Sequence, residues 1–398
     1  MNIRRIQVAS PLTLVVLSAC GGSSGGGALS TLLSGTAING PLFGARVFLD
    51  IADANGDFDG VYTAGTDILA SNGGLTDGLG DFTVDTATLN GQTYRLVVES
   101  LDTTRINYTD SATPELSDTQ AAGSFTLTAP APSSTAVAPV VTPITTLIEQ
   151  GGLTASEVAT ALGLEGQDLL TLNPFEASDP SIGLKAEKVS MQIVTTLETL
   201  SSAAESAGAG GADAASAAVG ALVDVITAKV NSSETLDLAP DSLADPNNDI
   251  AALQSSFKTE LQTAGVNTAS IDALEDEIAR SIQVVNSGID EIPEDTDLSK
   301  FGSDDSSVQE ALQNVVNTFS SAKLLSDQVS GAVTSGNAGD ITFTNEAAFE
   351  ASVANTAPTG VTVSNNEVNE GELENSLVGV LTLVDGEDTN NNLSLIHI

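Results

Sequence analysis

Gly44-Ala45-Arg46-Val47-Phe48-Leu49-Asp50-Ile51-Ala52-Asp53-Ala54-Asn55-Gly56-Asp57-Phe58-Asp59-Gly60 runs from a strand-like apolar stretch straight into the densest carboxylate cluster of the chain. Val47-Phe48-Leu49, Asp81-Phe82-Thr83-Val84 and Tyr94-Arg95-Leu96-Val97-Val98 are short runs rich in β-branched and aromatic residues, separated by Gly, Asn and Asp clusters. Short strands with such turns predict a β-sandwich over residues 34–129. In the loop between the first two runs, Asp53, Asn55, Asp57 and Asp59 offer alternating oxygen donors that can surround a hard cation such as calcium. An EF-hand does not fit, because its sixth position is Phe58 and its twelfth Ala64. The alternative is an ordinary Asx-rich hairpin, since Asn, Asp and Gly favour turns for their own backbone reasons.

Gly40-Pro41-Leu42-Phe43-Gly44-Ala45-Arg46-Val47-Phe48-Leu49-Asp50, the acidic loop, and then Thr76-Asp77-Gly78-Leu79-Gly80-Asp81-Phe82 resemble the Ig-like modules of large bacterial surface proteins. The chain departs from that pattern by a longer loop and by Thr66 where a glutamate is usual. The resemblance implies an Ig-like sandwich; the departure weakens the implied calcium site.

Charge narrows the function classes. The chain has 53 acidic and 12 basic residues and a formal net charge of −41, a balance that repels nucleic acid and anionic headgroups and suits divalent cations. Tryptophan is absent and aromatics make up 4%, so stacking platforms for sugars or bases are poorly supplied. His397 is the only histidine, which excludes a Ser-His-Asp triad, a Cys-His pair and a multi-histidine metal site within this sequence. A carboxylate-pair hydrolase stays formally open, but no spacing singles out a pair. No enzyme activity is expected.

The start of the chain reads as an export signal. Arg4 and Arg5 precede an apolar run from Ile6 to Leu17 that is too short to span a bilayer. Leu17-Ser18-Ala19-Cys20 resembles the lipobox of bacterial lipoproteins, which implies a signal peptide over residues 1–20 and lipidation of Cys20, the only cysteine. A plain cleaved signal peptide is the competing expectation. Residues 21–33, rich in Gly and Ser, read as a flexible tether. Gly21, where an aspartate would resemble an inner-membrane retention signal, favours the cell outer membrane, and one cysteine allows no disulfide within the chain.

Residues 130–143, rich in Pro, Ala, Ser and Thr, read as an extended linker. Beyond them the pattern becomes helical over 144–350. Thr154-Ala155-Ser156-Glu157 is a capping box before Val158 and Leu162, with Gly163 where a helix would end. Val189, Ile193, Val194, Leu197 and Leu200 recur at helical steps, as do apolar residues in 218–230, 250–261, 271–285 and 308–333. An all-α bundle serving as a spacer is expected, with its most flexible interruption in 203–218 around Gly208-Ala209-Gly210-Gly211. Val141-Thr142-Pro143-Ile144-Thr145-Thr146-Leu147, Ala161-Leu162-Gly163-Leu164 and Asp168-Leu169-Leu170-Thr171-Leu172-Asn173-Pro174 resemble a helical region that follows Ig-like modules in secreted bacterial proteins.

Residues 355–398 open with Asn355-Thr356-Ala357-Pro358-Thr359-Gly360 and alternate apolar positions in Val361-Thr362-Val363 and in Val378-Gly379-Val380-Leu381-Thr382-Leu383. Together with Val368-Asn369-Glu370-Gly371 and Asp385-Gly386-Glu387-Asp388, they are similar to bacterial cadherin-like repeats. By that match Glu370, Asp385 and Glu387 are calcium ligands. The alternative is a solvated acidic loop. A sandwich module needs roughly 100 residues, so the repeat reads as truncated. Leu393-Ser394-Leu395-Ile396-His397-Ile398 is also what a common transposase sequencing adapter, CTG TCT CTT ATA CAC ATC, would encode. One expectation is therefore an assembly artefact that removes His397 from the natural protein; the other is a strand beginning at Leu393.

Together these features predict a multidomain α+β chain: an N-terminal β-sandwich, a central helical bundle and a partial cadherin-like sandwich. The expected function is that of a lipid-anchored, calcium-binding surface adhesion protein whose partner is a second copy or a host or neighbouring cell surface, without nucleic acid. The alternatives are an envelope scaffold without cation dependence and the non-catalytic part of a secreted enzyme.

Overall fold

The computed structural model describes residues 31–107, 112–114, 119–122, 125–240, 243, 248–300, 306–342, 360–363, 377–384 and 392–397. The chain divides into two units, Met1–Ser30 and Thr31–Ile398. The first, with the expected signal peptide and Cys20, lies outside the described residues, as do Glu370, Asp385 and Glu387. The second is a mixed α+β structure.

Strand β1 (Leu32–Ala37) buries every second residue, Leu33, Gly35 and Ala37, as a half-buried strand must. It pairs antiparallel with β5 (Asp81–Asp85), placing Leu33 opposite Val84 and Gly35 opposite Phe82. A Cβ at Gly35 would lie 2.6 Å from both the Phe82 ring and the Pro139 carbonyl oxygen, so only glycine lets these groups close over the strand. On its other edge β1 pairs parallel with β10 (Val140–Val141). Residues 32–33 of the expected tether and 140–141 of the expected linker thus lie in one sheet.

The second sheet has the order β4-β3-β6-β9, all antiparallel: β3 (Arg46–Ile51), β4 (Ile68–Leu69), β6 (Tyr94–Glu99) and β9 (Thr126–Pro130). Val47 to Ile51 are all buried, which is why this central strand is an apolar run instead of an alternation. A third sheet joins β2 (Leu42–Phe43), β7 (Arg105–Asn107) and β8 (Thr119–Ala121). A short helical turn, α1 (Ser71–Gly74), links β4 to β5.

Helix α2 (Pro143–Gly151) starts with proline in its first turn, which needs no N–H there, and a Thr142/Thr145 capping box. Helix α3 (Ala155–Ala161) carries the capping box read in the sequence: the Thr154 N–H donates to Glu157 Oε2 at 2.8 Å and the Glu157 N–H to Thr154 Oγ1 at 3.2 Å. Then follow α4 (Pro180–Ser206), α5 (Gly211–Ser232), α6 (Asp249–Thr263), α7 (Ala269–Asp272), α8 (Glu275–Asp290) and α9 (Ser306–Ser335). Helix α4 packs on α2, α5, α8 and α9. The expected interruption over 203–218 narrows to four residues, 207–210, because small alanines on both helices keep winding until Gly208, whose φ is 99°. Helix α5 is the one described helix long and apolar enough to cross a membrane, and its Ala214, Ala218, Leu222 and Ile226 are buried in the bundle.

The β module and the bundle share one apolar core that runs from Leu33 to Ile341. They are also hydrogen-bonded: the Thr128 N–H of β9 donates to Thr146 Oγ1 at 2.9 Å, and the Thr145 hydroxyl of α2 donates to the Thr128 carbonyl at 2.9 Å.

Near the end of the chain β11 (Gly360–Val363), β12 (Leu377–Val384) and β13 (Asn392–His397) form an antiparallel sheet, with Val361 opposite Leu383 and Val380 opposite Leu395.

Candidate metal centre

The long connection between β3 and β4 leaves and re-enters the sheet at Asp50 and Asp67. Pairing of Leu49 with Ile68 places these two aspartates opposite each other at the neck of the loop. The Ile51 N–H donates to Asp67 Oδ1 at 3.1 Å, and the Thr63 N–H to Asp67 Oδ2 at 2.6 Å. Asp59 comes back over the neck from the loop, fixed by the Val61 N–H on its Oδ1 at 2.9 Å. One carboxylate oxygen from each of Asp50, Asp59 and Asp67 lies within 4.8 Å of the others.

Asp50 is the buried member, 1% exposed. Its Oδ2 receives the Gly60 N–H at 2.9 Å and Arg95 Nε and Nη2 at 3.0 and 2.9 Å. Burial pushes the Asp50 carboxyl above the usual carboxylate range and the Asp59 charge adds to this, while the Gly60 N–H and the Arg95 guanidinium pull it back down. Arg95 in turn lies over the Phe58 ring, 4.9 Å from its centroid. Gly60 has φ 71°, and a Cβ there would sit 3.1 Å from Arg95 Nη2, so glycine makes room for the guanidinium.

Of the four loop residues read as ligands, the structure brings only Asp59 into this cluster. Asp53 turns its carboxylate onto its own loop, accepting the Asn55 N–H at 2.8 Å, the Asp57 N–H at 3.0 Å and Asn55 Nδ2 at 3.2 Å. Those N–H donors hold the Asp53 carboxyl below its ordinary range. Asp53 and Asn55 therefore form the Asx turn that shapes the loop, and Asp57 contributes its backbone to it. Asp50 and Asp67 are the members of the cluster that the local spacing missed, although an Asp at each end of a hairpin neck was a usable signal.

Three carboxylates are hard oxygen donors and fit a divalent cation of the calcium or magnesium type, with further oxygens needed from backbone or water. Neither protein families, nor curated proteins, nor solved structures provide a match to this chain.

Proposed function

We propose that this chain is a lipid-anchored, calcium-binding cell-surface adhesion protein without catalytic activity. Asp50, Asp59 and Asp67 hold the ion at the neck of the β3–β4 loop. The observation that carries the cation site is the convergence of three carboxylate oxygens within 4.8 Å. Like charges brought together beside the buried Asp50 repel, and a divalent ion between them removes that cost. The N-terminal β module is an Ig-like sandwich in this proposal, and residues 355–398 belong to a cadherin-like repeat with Glu370, Asp385 and Glu387 as further ligands. Cys20 carries the lipid that fixes the chain to the outer membrane. The partner is a second copy or another cell surface.

One observation favours the second reading, an envelope scaffold without cation dependence: Arg95 already supplies Asp50 with a positive partner at 2.9 Å. Thermal unfolding of the full chain in calcium and in chelator separates the two. Calcium at about 100 times its dissociation constant stabilises the folded form by roughly 2.7 kcal/mol, and Asp59→Ala and Asp67→Ala each abolish the gain. Superimposable curves for the unaltered chain overturn the cation site and leave the scaffold.

A further inference from the structure

The turn between β1 and β2 is buried. Ile38 and Pro41 bridge across it, Asn39 and Gly40 form its tip, and Ile38 to Leu42 are all shielded from solvent. Loops normally stay at the surface because buried backbone groups need partners. Here the partner comes from the bundle: the Gly40 N–H donates to Glu187 Oε1 of α4 at 2.7 Å. Gly40 has φ 62°, and a Cβ there would run into Ile106 Cγ2, so the tip is fitted tightly.

Glu187 is 2% exposed and Asn39 fully buried. Among the described residues, the second oxygen of Glu187, Oε2, has no hydrogen-bond partner, and neither do the two polar atoms of the Asn39 side chain or Ser190 Oγ, one turn further along α4. On the surrounding elements, Arg105 of β7, next to Ile106, donates to the Thr119 hydroxyl and carbonyl, and the paired charges of the helices are engaged elsewhere. Lys188 of α4 pairs with Glu294, Lys229 of α5 with Asp249, and Lys323 of α9 with Asp327. On α8, Glu275 pairs with Lys258; in the turn 298–300, Lys300 pairs with Asp297; on α2, Glu149 feels Arg95 and Asp50.

A carboxylate with one N–H and no cation is a poor occupant of such a site; a neutral carboxylic acid is a good one. We infer that Glu187 is a proton-operated latch between the β module and the bundle: as the acid it holds the Asn39–Gly40 tip on α4, and deprotonation loosens that hold. Burial pushes its carboxyl up to about 7, opposed by the single Gly40 N–H. The folded form therefore binds a proton more tightly than the unfolded form. The latch is strongest below the ordinary glutamate value of 4.5, weakens as pH rises towards about 7, and is level above it.

The test is hydrogen exchange at the Gly40 amide by NMR in the full chain, in chelator so that no cation site is involved. Between pH 5 and 7 opening at Gly40 rises by up to about tenfold per pH unit beyond the intrinsic rate. In Glu187→Gln, which keeps the acceptor and cannot ionise, only the intrinsic slope remains. Equal slopes in the two proteins overturn the latch. If Glu187→Gln does not fold, a carbon-13 titration of the glutamate carboxyls in the unaltered chain decides. Burial also raises Glu149 and Glu198, so the Glu187 signal is assigned first: its titration near 7 supports the latch, and its titration in the ordinary range overturns it.

Discussion

The guanidinium of Arg95 places Nε at 3.0 Å and Nη2 at 2.9 Å from the same oxygen of Asp50, its Oδ2. The Gly60 N–H acts on that same oxygen of this buried carboxylate. The ion pair and the carboxylate cluster thus share a residue, and disturbing one reports on the other.

Arg95→Met removes the charge and keeps much of the stem. It leaves Asp50 buried without its cation, which costs about 3–5 kcal/mol in chelator. Calcium restores part of the loss, so the calcium-induced rise in melting temperature is larger in Arg95→Met than in the unaltered chain. Equal rises in both count against a shared site at Asp50.

Asp53→Ala and Asp67→Ala separate loop shape from ligation. Loss of Asp53 removes the acceptor for the Asn55 and Asp57 N–H groups, so amide exchange in the loop accelerates while calcium affinity by titration calorimetry changes little. Loss of Asp67 weakens the affinity strongly. The reverse order returns the ligand role to the Asp53 side of the loop.

Leu33→Ala empties a fully buried position in β1 and lowers stability by about 2–5 kcal/mol. Because strands and helices share one core, denaturant curves from near-ultraviolet absorption of the β module's tyrosines and from helical circular dichroism shift together. Separate transitions, with only the first shifted, contradict a shared core.

Between pH 4.5 and about 7 the raised Glu187 carboxyl makes the unfolded form the stronger acid, and stability falls as pH rises. The loss is on the order of 3 kcal/mol and does not grow further above that range. Urea midpoints measured across this range fall more in the unaltered chain than in Glu187→Gln.

Where local pattern decided the structure, the sequence was readable. Val47-Phe48-Leu49, Asp81-Phe82-Thr83-Val84 and Tyr94-Arg95-Leu96-Val97-Val98 lie in β3, β5 and β6, and the Thr154–Glu157 box caps α3. Leu32-Leu33-Ser34-Gly35 carries little β-branched signal, and Val140–Val141 becomes a strand only because Thr36 and Ala37 lie beside it. The same holds for the acidic cluster. Even spacing of Asp53, Asn55, Asp57 and Asp59 pointed to one contiguous loop, whereas strand pairing assembles Asp50 and Asp67 from its two ends. Lys185-Ala186-Glu187-Lys188 looks like a solvated helix face, yet Glu187 and Lys188 are both buried, since the tip at Gly40 and the acid Glu294 come from distant parts of the chain.

Strand β1 also has a mechanical meaning. It is the first described strand, held by five registered residue pairs to β5 and two to β10. Tension arriving through residue 31 pulls along its axis, so these pairs are loaded together in shear instead of opening one after another. A chain tethered at its start would thereby pass force into a strand braced on both edges, and the helices behind it would stay folded until that strand slides.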